Sequence, residues 1–313
     1  MRVVSLLPSA TEMLYTLGVE PVGVSHECDY PPAASDLPSV ISPRVDPDAS
    51  SAEINEQVAA AEKSGGVYEI DRELLADLDP DVVVSQGICD VCAVDDTAIR
   101  EAVADLSLDA RVITSDPHSL DEVFADLERL GDVLNREDRA QEAVADLRAR
   151  VEAVAKAAPN ERPRVAVFDW LDPVMVAGHW VPGMVNRAGG TYGLAAPGDR
   201  STPREWAEIR EYDPEVILAA PCGFGLDQTL ENADDLSGRE GWNALAAVRE
   251  GQVYAVDGHH YVNRPGPRLV DTLELFAGVL RGAAGAPENA VVEWPSLPES
   301  AEDGRERTTE SRS

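Results

Sequence analysis

Basic residues are scarce in this chain. Lysine and arginine together number 26 against 58 aspartates and glutamates in 313 residues, which gives a formal net charge of -32. Nucleic acid and anionic membrane surfaces are therefore not expected as partners, because both attract positive charge. A charge of this size also destabilises a compact chain in dilute buffer, and salt screens the repulsion. The composition thus indicates a protein adapted to high salt.

Long apolar runs are also missing. No segment contains the roughly 20 consecutive apolar residues that a membrane-spanning helix needs. The apolar stretch that starts at Val3 is interrupted by Pro8, Ser9 and Glu12, and it lacks the cleavage site and lipid-attachment cysteine of a signal peptide. We therefore expect no membrane insertion. The expected location is the cytoplasm, or an extracellular or membrane-associated one if the true start lies upstream.

Cysteines are few, and the four present are Cys28, Cys89, Cys92 and Cys222. So small a number favours a reducing compartment and free thiols over structural disulfides. Cys89 and Cys92 have the C-x-x-C spacing that can hold a soft metal or form a reversible disulfide. Since all four lie on candidate ligand-facing loops, a metal site formed by them is one hypothesis. Small buried thiols that pack the loop bases are the alternative.

Several catalytic motifs are absent. The sequence contains no Walker loop, no G-x-G-x-x-G run and no Ser-His-Asp order. These absences argue against the common ATPase, dinucleotide and hydrolase chemistries. We expect a protein that is not an enzyme and requires no cofactor.

The chain contains an internal similarity between its two halves. An opening strand, a glycine-ended helix, a helix that runs into an Asp-Pro strand, and a final strand that ends in aspartate recur in the same order. The paired segments are 2–8 with 164–171, 17–18 with 188–189, 78–84 with 212–218, and 111–116 with 252–257. This repetition predicts an α/β fold of two similar lobes with mostly parallel sheets, and a ligand cleft between them.

The link between the lobes is predicted to be helical. Apolar residues recur at helical spacing from Ser119 to about Ala157. A slight interruption at Asn135-Arg136 leaves open a kink or a split into two helices at that point. At about 1.5 Å per residue, one such helix would be on the order of 55 Å long. The predicted divisions are an N-terminal lobe (1–118), a bridging helix (119–158), a C-terminal lobe (159–284) and a disordered acidic and polar tail (285–313).

Aromatic residues make up only 5% of the chain, yet many fall where strands end. Loops at the carboxyl ends of parallel strands are where doubly wound sheets bind ligands. Flat apolar faces next to imidazoles would suit a large planar molecule such as a corrin or porphyrin, and sealing of the core is the alternative. The candidate ligand-binding residues are Pro8, Ser9, His26, Tyr30, Gln86, Trp170, His179, Trp180, Phe224, His260 and Tyr261.

Seven short segments within residues 1–282 also occur in the order of a known family. They are SLLPSATE (5–12), GVSHECDYP (23–31), LDPD (78–81), DP (172–173), AGHW (177–180), AGG (188–190) and NRPGPR (263–268). Together they resemble the class III substrate-binding proteins of ABC importers, in the vitamin B12 and ferric-siderophore group and its cobalamin-binding-protein-like branch. The resemblance implies two α/β lobes joined by one long helix. It also implies a monomer that captures cobalamin, or a related corrinoid or iron chelate, between the lobes.

The same resemblance implies a partner in the membrane. In this family a carboxylate on each lobe docks onto arginines of the ABC permease. Glu73 is similar in position to the first carboxylate, whereas the matching place in the second lobe is Ala207, with Glu205 and Glu208 beside it. Glu73 and Glu208 are therefore the candidate docking residues. The competing hypothesis is a cytoplasmic thiol or metal protein, or an enzyme, that uses the four cysteines on the same scaffold.

Overall fold

Three parallel strands form the centre of each lobe, and they are arranged in the same order in both lobes. The computed structural model describes residues 1–62, 66–88, 94, 96–282 and 289–295. The N-terminal sheet has the order β1 (Val3–Ser5), β5 (Val82–Gln86), β6 (Arg111–Ser115). A smaller sheet, β2 (Val24–Ser25), β3 (Ser39–Pro43) and β4 (Tyr68–Ile70), lies beside it. The C-terminal sheet has the order β12 (Val291–Glu293), β11 (Val253–Val256), β10 (Val216–Ala219), β7 (Val165–Trp170), β8 (Met175–Val176), β9 (Thr202–Pro203).

Helices follow most of these strands. In chain order they are α1 (Pro8–Thr16), α2 (Ser51–Glu62), α3 (Arg72–Leu78), α4 (Asp96–Asp105), α5 (Leu120–Leu134), α6 (Glu137–Lys156), α7 (Val181–Ala188), α8 (Trp206–Tyr212), α9 (Leu226–Glu231), α10 (Asp234–Ser237), α11 (Ala246–Arg249) and α12 (Leu269–Leu280). Strands β1, β5 and β6, and likewise β7, β10 and β11, pair in parallel. The predicted two-lobed α/β architecture with mostly parallel sheets is confirmed.

The internal similarity between the halves extends to individual hydrogen bonds. The backbone nitrogen of Arg2, before β1, donates to Asp81 Oδ2 at 2.6 Å. In the second half the backbone nitrogen of Arg164, before β7, donates to Glu215 Oε2 at 2.9 Å. Asp81 and Glu215 occupy the same place in the paired Asp-Pro segments. Each lobe therefore ties its first strand to its central strand in the same way.

The link between the lobes differs from the prediction of one long helix over 119–158. Asn135 adopts a left-handed conformation with φ 54° and ends α5, and α6 starts two residues later. The two helices form an antiparallel hairpin, since Arg148 Nη1 lies 2.9 Å from Asp121 Oδ1. Gly131 permits the close approach, because a Cβ atom there would lie 2.6 Å from the Cβ of Ala140.

This helical hairpin contacts both lobes. Arg139 Nε donates to the carbonyl oxygen of Thr16 in the N-terminal lobe at 2.7 Å. Arg150 forms a bidentate pair with Glu274 of α12 in the C-terminal lobe, at 2.9 Å and 2.6 Å. One contiguous apolar core runs from Leu14 in α1 through Leu127 in α5 to Phe168 in β7. The lobes are thus connected by a packed two-helix unit rather than a single strut.

The predicted disordered tail over 285–313 is wrong for part of its length. Residues 291–293 form β12, which pairs antiparallel with β11, and Ala290 is fully buried. Trp294 packs on Trp242, with 6.1 Å between ring centroids. The apolar triplet Ala290-Val291-Val292 provides the side chains for this edge strand. Residues 283–288 and 296–313 lie outside the described residues.

Within the ranges that the structure describes, no helix combines the length and the apolar composition that crossing a bilayer requires.

Candidate ligand-binding site between the lobes

The two lobes meet through an arginine of the C-terminal lobe. Arg264, which is 5% exposed, places Nη1 2.5 Å from Asp29 Oδ1 and Nη2 3.2 Å from Asp29 Oδ2. The same Nη2 donates to the carbonyl oxygen of Glu27 at 3.2 Å. Asp29 lies on the loop that follows β2, so this pair joins the second-strand loop of one lobe to the segment before α12 of the other.

A second arginine crosses the same surface. Arg268 Nη2 donates to Glu12 Oε1 at 2.8 Å, and Glu12 is 3% exposed. Burial raises the pKa of Glu12, and the hydrogen bond from Arg268 limits that rise. The Arg268 guanidinium also lies 4.1 Å from the ring centroid of Tyr30 and 5.8 Å from that of Tyr261. The arrangement gives a cation flanked by two aromatic rings.

Two adjacent histidines face Asp29. Asp29 Oδ2 lies 3.1 Å from His260 Nε2 and 3.5 Å from His259 Nε2. Burial would raise the pKa of Asp29, but hydrogen bonds from His259, His260 and Arg264 hold it well below its usual range. Asp257 Oδ2 lies 2.7 Å from His260 Nδ1, and the hydrogen bonds to Asp257 and Asp29 raise the pKa of His260 to about 9.

The local backbone brings both imidazoles to one side. Residues Gly258–Val262 form a wide helical turn, which Asp257 caps by accepting a hydrogen bond from the His260 backbone nitrogen at 2.8 Å. An extended backbone would send adjacent side chains to opposite sides, whereas a helical turn does not. Gly258 is required because a Cβ atom there would lie 2.2 Å from the carbonyl oxygen of Pro221. Both histidines of the pair therefore face the other lobe.

A second contact region joins the lobes at the start of α2. The Ser51 hydroxyl donates to Asp235, and the Ser51 backbone nitrogen donates to Asn232 Oδ1 at 3.3 Å. Gln228 Nε2 donates to the carbonyl oxygen of Pro47 at 2.8 Å. Both lobes thus contact each other in two separate places.

The open cleft expected from the sequence is filled by these side chains. The depression beside Pro8 and His26 has a cavity volume of about 0 Å³ for a water-sized sphere and is lined by residues of the N-terminal lobe alone. Small-molecule sites generally occupy roughly 300 to 1,000 Å³. The structure therefore has the lobes in a closed arrangement.

The candidate aromatic residues divide into two groups. Tyr30 is 45% exposed, and Tyr261 and Trp170 are half-buried. Phe224 is 2% exposed and packs on Trp170, with 5.3 Å between ring centroids. Trp180 is 7% exposed, and its Nε1 donates to the carbonyl oxygen of Val262 at 2.9 Å. Phe224 and Trp180 are therefore core residues of the C-terminal lobe in this closed arrangement.

The remaining candidates lie at several places along the interlobe surface. His179 has φ 51°, and its Nδ1 lies 2.9 Å from Nδ1 of His118, the residue just before the α5 cap. Burial, and then the neighbouring His118, lower the pKa of His179. Ser9 and Gln86 are buried, at 2% and 7% exposed. His118 was not among the sequence candidates, although it follows β6 at a strand end.

The docking candidates differ in their surroundings. Glu73 is exposed in the first turn of α3. Glu208 occupies the N3 position of α8, where its carboxylate accepts a hydrogen bond from the backbone nitrogen of Glu205 at 3.0 Å. It also lies 3.7 Å from Arg204. Glu208 therefore already stabilises the start of its own helix.

The cysteines do not come together in the described part of the chain. Cys28 is 3% exposed and accepts a hydrogen bond from Thr11 Oγ1 at 3.1 Å. Burial raises the pKa of its thiol to about 11. Cys222 is half-buried in the loop after β10. Cys89 and Cys92 lie outside the described residues, so a thiol or metal role for them stays a prediction.

Sequence reasoning missed the charged members of this surface. Glu12, Asp29, Asp257, Arg264 and Arg268 were not among the candidate ligand-binding residues. One signal was present in composition, since two arginines flank Pro265-Gly266-Pro267 in a chain with only 26 basic residues. Two arginines this close to a Pro-Gly-Pro turn, in so acidic a chain, indicate that each has a specific acidic partner.

Known proteins match this chain over most of its length. The family model described as "Periplasmic binding protein" matches residues 3–259. A vitamin B12-binding protein of Vibrio cholerae serotype O1 is 25% identical over 289 residues, covering 90% of this chain and 89% of its own. A cobalamin-binding protein of Halobacterium salinarum is 27% identical over 286 residues, covering 88% of this chain and 68% of its own.

A solved structure supports the same assignment of fold. A periplasmic heme-binding protein from Pseudomonas aeruginosa superimposes with a TM-score of 0.69 at 21% identity, covering 95% of this chain and 99% of its own. An ABC transporter substrate-binding lipoprotein of Bacillus subtilis is 23% identical over 282 residues, covering 88% of this chain and 78% of its own. The resemblance inferred from the short segments is confirmed, and this chain belongs to the periplasmic binding protein family.

Proposed function

We propose that this chain binds cobalamin or a closely related corrinoid between its two lobes and delivers it to an ABC importer. The observation that carries the proposal is the meeting of Tyr30 from the N-terminal lobe with His260 and Tyr261 from the C-terminal lobe at one surface. Aromatic rings and imidazoles of this kind suit a large, flat metal chelate. The names of the Vibrio and Halobacterium relatives support the corrinoid choice.

Binding requires the lobes to separate. A corrinoid placed between them would displace the contacts of Arg264 with Asp29 and of Arg268 with Glu12. The apparent affinity then equals the intrinsic affinity reduced by the fraction of molecules that are open. Capture is thus an exchange of interlobe ion pairs for contacts with the ligand.

The residues proposed to contact the ligand are those that the opened surface would expose. They are Pro8, His26, Tyr30, Trp170, His179, His260 and Tyr261. Ser9 is added to them because it is buried against Gly266 of the other lobe. Phe224 and Trp180 are left out because their contacts lie within the C-terminal lobe, and Gln86 is left out because it is buried. No bond of the ligand is made or broken, so the proposed role is binding without catalysis.

Titration at high salt tests this proposal. Purified protein would be titrated with cyanocobalamin, and the heat of binding and the visible spectrum recorded. Trp170→Ala and Tyr261→Ala are each expected to weaken binding by about tenfold, since loss of a stacked aromatic removes roughly 1.4 kcal/mol. Trp206→Phe is the matched control, because Trp206 stacks on Trp242 within the C-terminal lobe. Absence of binding at micromolar ligand contradicts the proposal.

Heme is the second candidate ligand. The Pseudomonas structure that shares this fold is named for heme binding, and tyrosine and histidine are both ligands of heme iron. The discriminating measurement is a parallel titration with hemin and with cyanocobalamin. Preference for hemin, with a spectrum that changes in Tyr30→Phe or His260→Ala, would replace the corrinoid assignment.

Service to an importer adds two further expectations. Glu73 is proposed to dock on the permease, and Glu208 to serve the second lobe less directly because it caps α8. Glu73→Ala should reduce stimulation of the importer's ATPase while corrinoid affinity stays unchanged. The role also requires a location outside the cell membrane, in contrast with the cytoplasmic expectation from the sequence. Cell fractionation decides between these locations.

A further inference from the structure

Three side chains from the two lobes converge at the interlobe surface. Asp29 Oδ2 lies 3.1 Å from His260 Nε2 and 3.5 Å from His259 Nε2. A metal site needs at least three histidine, cysteine or acidic side chains whose ligand atoms lie close together. In the described part of the chain, Asp29, His259 and His260 form such a group, with all three ligand atoms within 4.8 Å of one another. Ligands about 2.1 Å from a tetrahedral metal ion are separated from each other by about 3.4 Å. The observed spacing is close to that value.

The orientation of these groups is already fixed by neighbours. Asp257 Oδ2 holds His260 Nδ1 at 2.7 Å, which directs Nε2 toward Asp29. A carboxylate on the far nitrogen of an imidazole is the usual support of a metal-binding histidine. Arg264 Nη1 donates a hydrogen bond to Asp29 Oδ1 at 2.5 Å, and this bond fixes the orientation of the carboxylate. Oδ2 is the oxygen that faces both imidazoles.

The positive charge of the nearby Arg264 side chain disfavours binding of a metal ion at this position. Arg264 Nη2 lies 2.7 Å from His259 Nε2 and 3.2 Å from Asp29 Oδ2. This nitrogen would have to move before His259 could bind a metal, while Nη1 could keep its contact with Oδ1. Removal of the Arg264 charge should therefore strengthen metal binding rather than abolish it.

We propose that Asp29, His259 and His260 bind a divalent first-row transition-metal ion that joins the two lobes. Two imidazoles and one carboxylate favour zinc, cobalt, nickel or ferrous iron over calcium and magnesium, which prefer oxygen ligands. Three protein ligands leave a coordination position open for water or another donor molecule. This site does not depend on corrinoid binding, because the metal ion alone is the ligand.

Cobalt chloride is the probe. Purified protein without an affinity tag would be titrated with Co²⁺ at high salt, and the visible d–d bands and the heat of binding recorded. One Co²⁺ per chain is expected, together with a rise in the melting temperature that grows with metal concentration. His259→Ala, His260→Ala and Asp29→Asn should each weaken binding at least tenfold, and Asp257→Asn by roughly tenfold through loss of orientation.

Controls separate this site from others in the chain. His118→Ala removes an imidazole from the pair with His179 and should leave Co²⁺ binding unchanged. Replacement of all four cysteines by serine should also leave it unchanged, and no sulfur-to-cobalt charge-transfer band should appear. Arg264→Gln should bind Co²⁺ several-fold more tightly. Melting temperatures of the metal-free variants show whether each is folded.

Three results would overturn the proposal. The first is no saturable Co²⁺ response at micromolar metal, and the second is a response that persists at full strength in folded His260→Ala. The third is loss of binding in the serine variant, which would assign the metal to the thiols. Failure of cobalamin to bind, in contrast, leaves this prediction standing.

Discussion

Arg268 of the C-terminal lobe donates a hydrogen bond to Glu12 of the N-terminal lobe, with 2.8 Å between Nη2 and Oε1. Glu12 is 3% exposed, and its second oxygen, Oε2, is buried without a hydrogen-bond partner among the described residues. The segment before α12 can approach Glu12 this closely because residue 266 is glycine. A Cβ atom at that position would lie 3.1 Å from Glu12 Oε2. The hydrogen bond from Arg268 therefore stabilises the buried Glu12 carboxylate.

Removal of Arg268 should destabilise the protein strongly. Arg268→Met leaves the Glu12 carboxylate buried and unpaired, which costs about 3–5 kcal/mol when a buried ion pair is broken on one side. The double variant Glu12→Gln/Arg268→Met should recover much of that loss. Urea denaturation at high salt measures both.

The control for this prediction is a surface pair with the same change in net charge. Arg148 and Asp121 are each about half exposed, and Arg148→Met should cost no more than about 1 kcal/mol. If Arg268→Met lowers the free energy of unfolding by no more than Arg148→Met does, the interlobe pair stabilises the protein no more than an exposed surface pair.

Asp169 should make stability fall as the pH rises through the mildly acidic range. Burial raises the pKa of Asp169 from 3.8 to about 6, despite a hydrogen bond from the Ser201 hydroxyl. Because the folded pKa lies above the unfolded one, the stabilisation is present below the unfolded pKa and is lost as the pH increases through about 6. The loss should be on the order of 2–3 kcal/mol.

Asp169→Asn should remove this dependence. The free energy of unfolding would be measured between acidic and neutral pH for the wild type, for Asp169→Asn and for Asp172→Asn, whose carboxylate is exposed. The slope should flatten in Asp169→Asn alone. Equal slopes in all three proteins would refute the assignment to Asp169.

The helical hairpin should be sensitive to a single methyl group. Gly131→Ala places a Cβ atom 2.6 Å from the Cβ of Ala140, and overpacking of this kind costs about 1–3 kcal/mol. Gly183→Ala in α7 meets its nearest neighbour, Arg187, only at 3.6 Å, and should gain up to about 1 kcal/mol from helix propensity. Opposite shifts in melting temperature are expected, and stabilisation by both substitutions would contradict the packing of α5 on α6.

Cys28 should resist alkylation in the folded protein. Its thiol is buried, and a pKa of about 11 leaves little thiolate at neutral pH. Mass spectrometry after treatment with N-ethylmaleimide should find Cys28 unmodified until denaturant is added, and Cys222, which is half-buried, modified earlier. Rapid native labelling of Cys28 would revive a thiol role for it.

Much of the fold followed from local patterns. The apolar triplet Val82-Val83-Val84 is buried on both faces, as its lack of alternation indicates. Asp79 and Asp213 both end helices in the left-handed conformation, with φ 38° and 46°, which matches the paired Asp-Pro segments. Repetition of short signals in one order was therefore sufficient to predict two similar lobes.

The errors came from long-range packing. A helical period does not report whether a helix turns back on itself, so the pairing of Asp121 with Arg148 was invisible in the sequence. Similarly, Trp180 and Phe224 carry the same side-chain signal whether they face a ligand or a core. The acidic partners of Arg264 and Arg268, Asp29 and Glu12, lie more than 230 residues away along the chain. Such contacts depend on how the lobes meet, which local patterns do not encode.

The C-terminal-lobe side chains that reach Asp29 and Glu12 all lie within ten consecutive residues, namely His259, His260, Arg264 and Arg268. That stretch is bounded by β11 on one side and α12 on the other. Replacing this one short segment with that of a relative should therefore change how the two lobes contact each other.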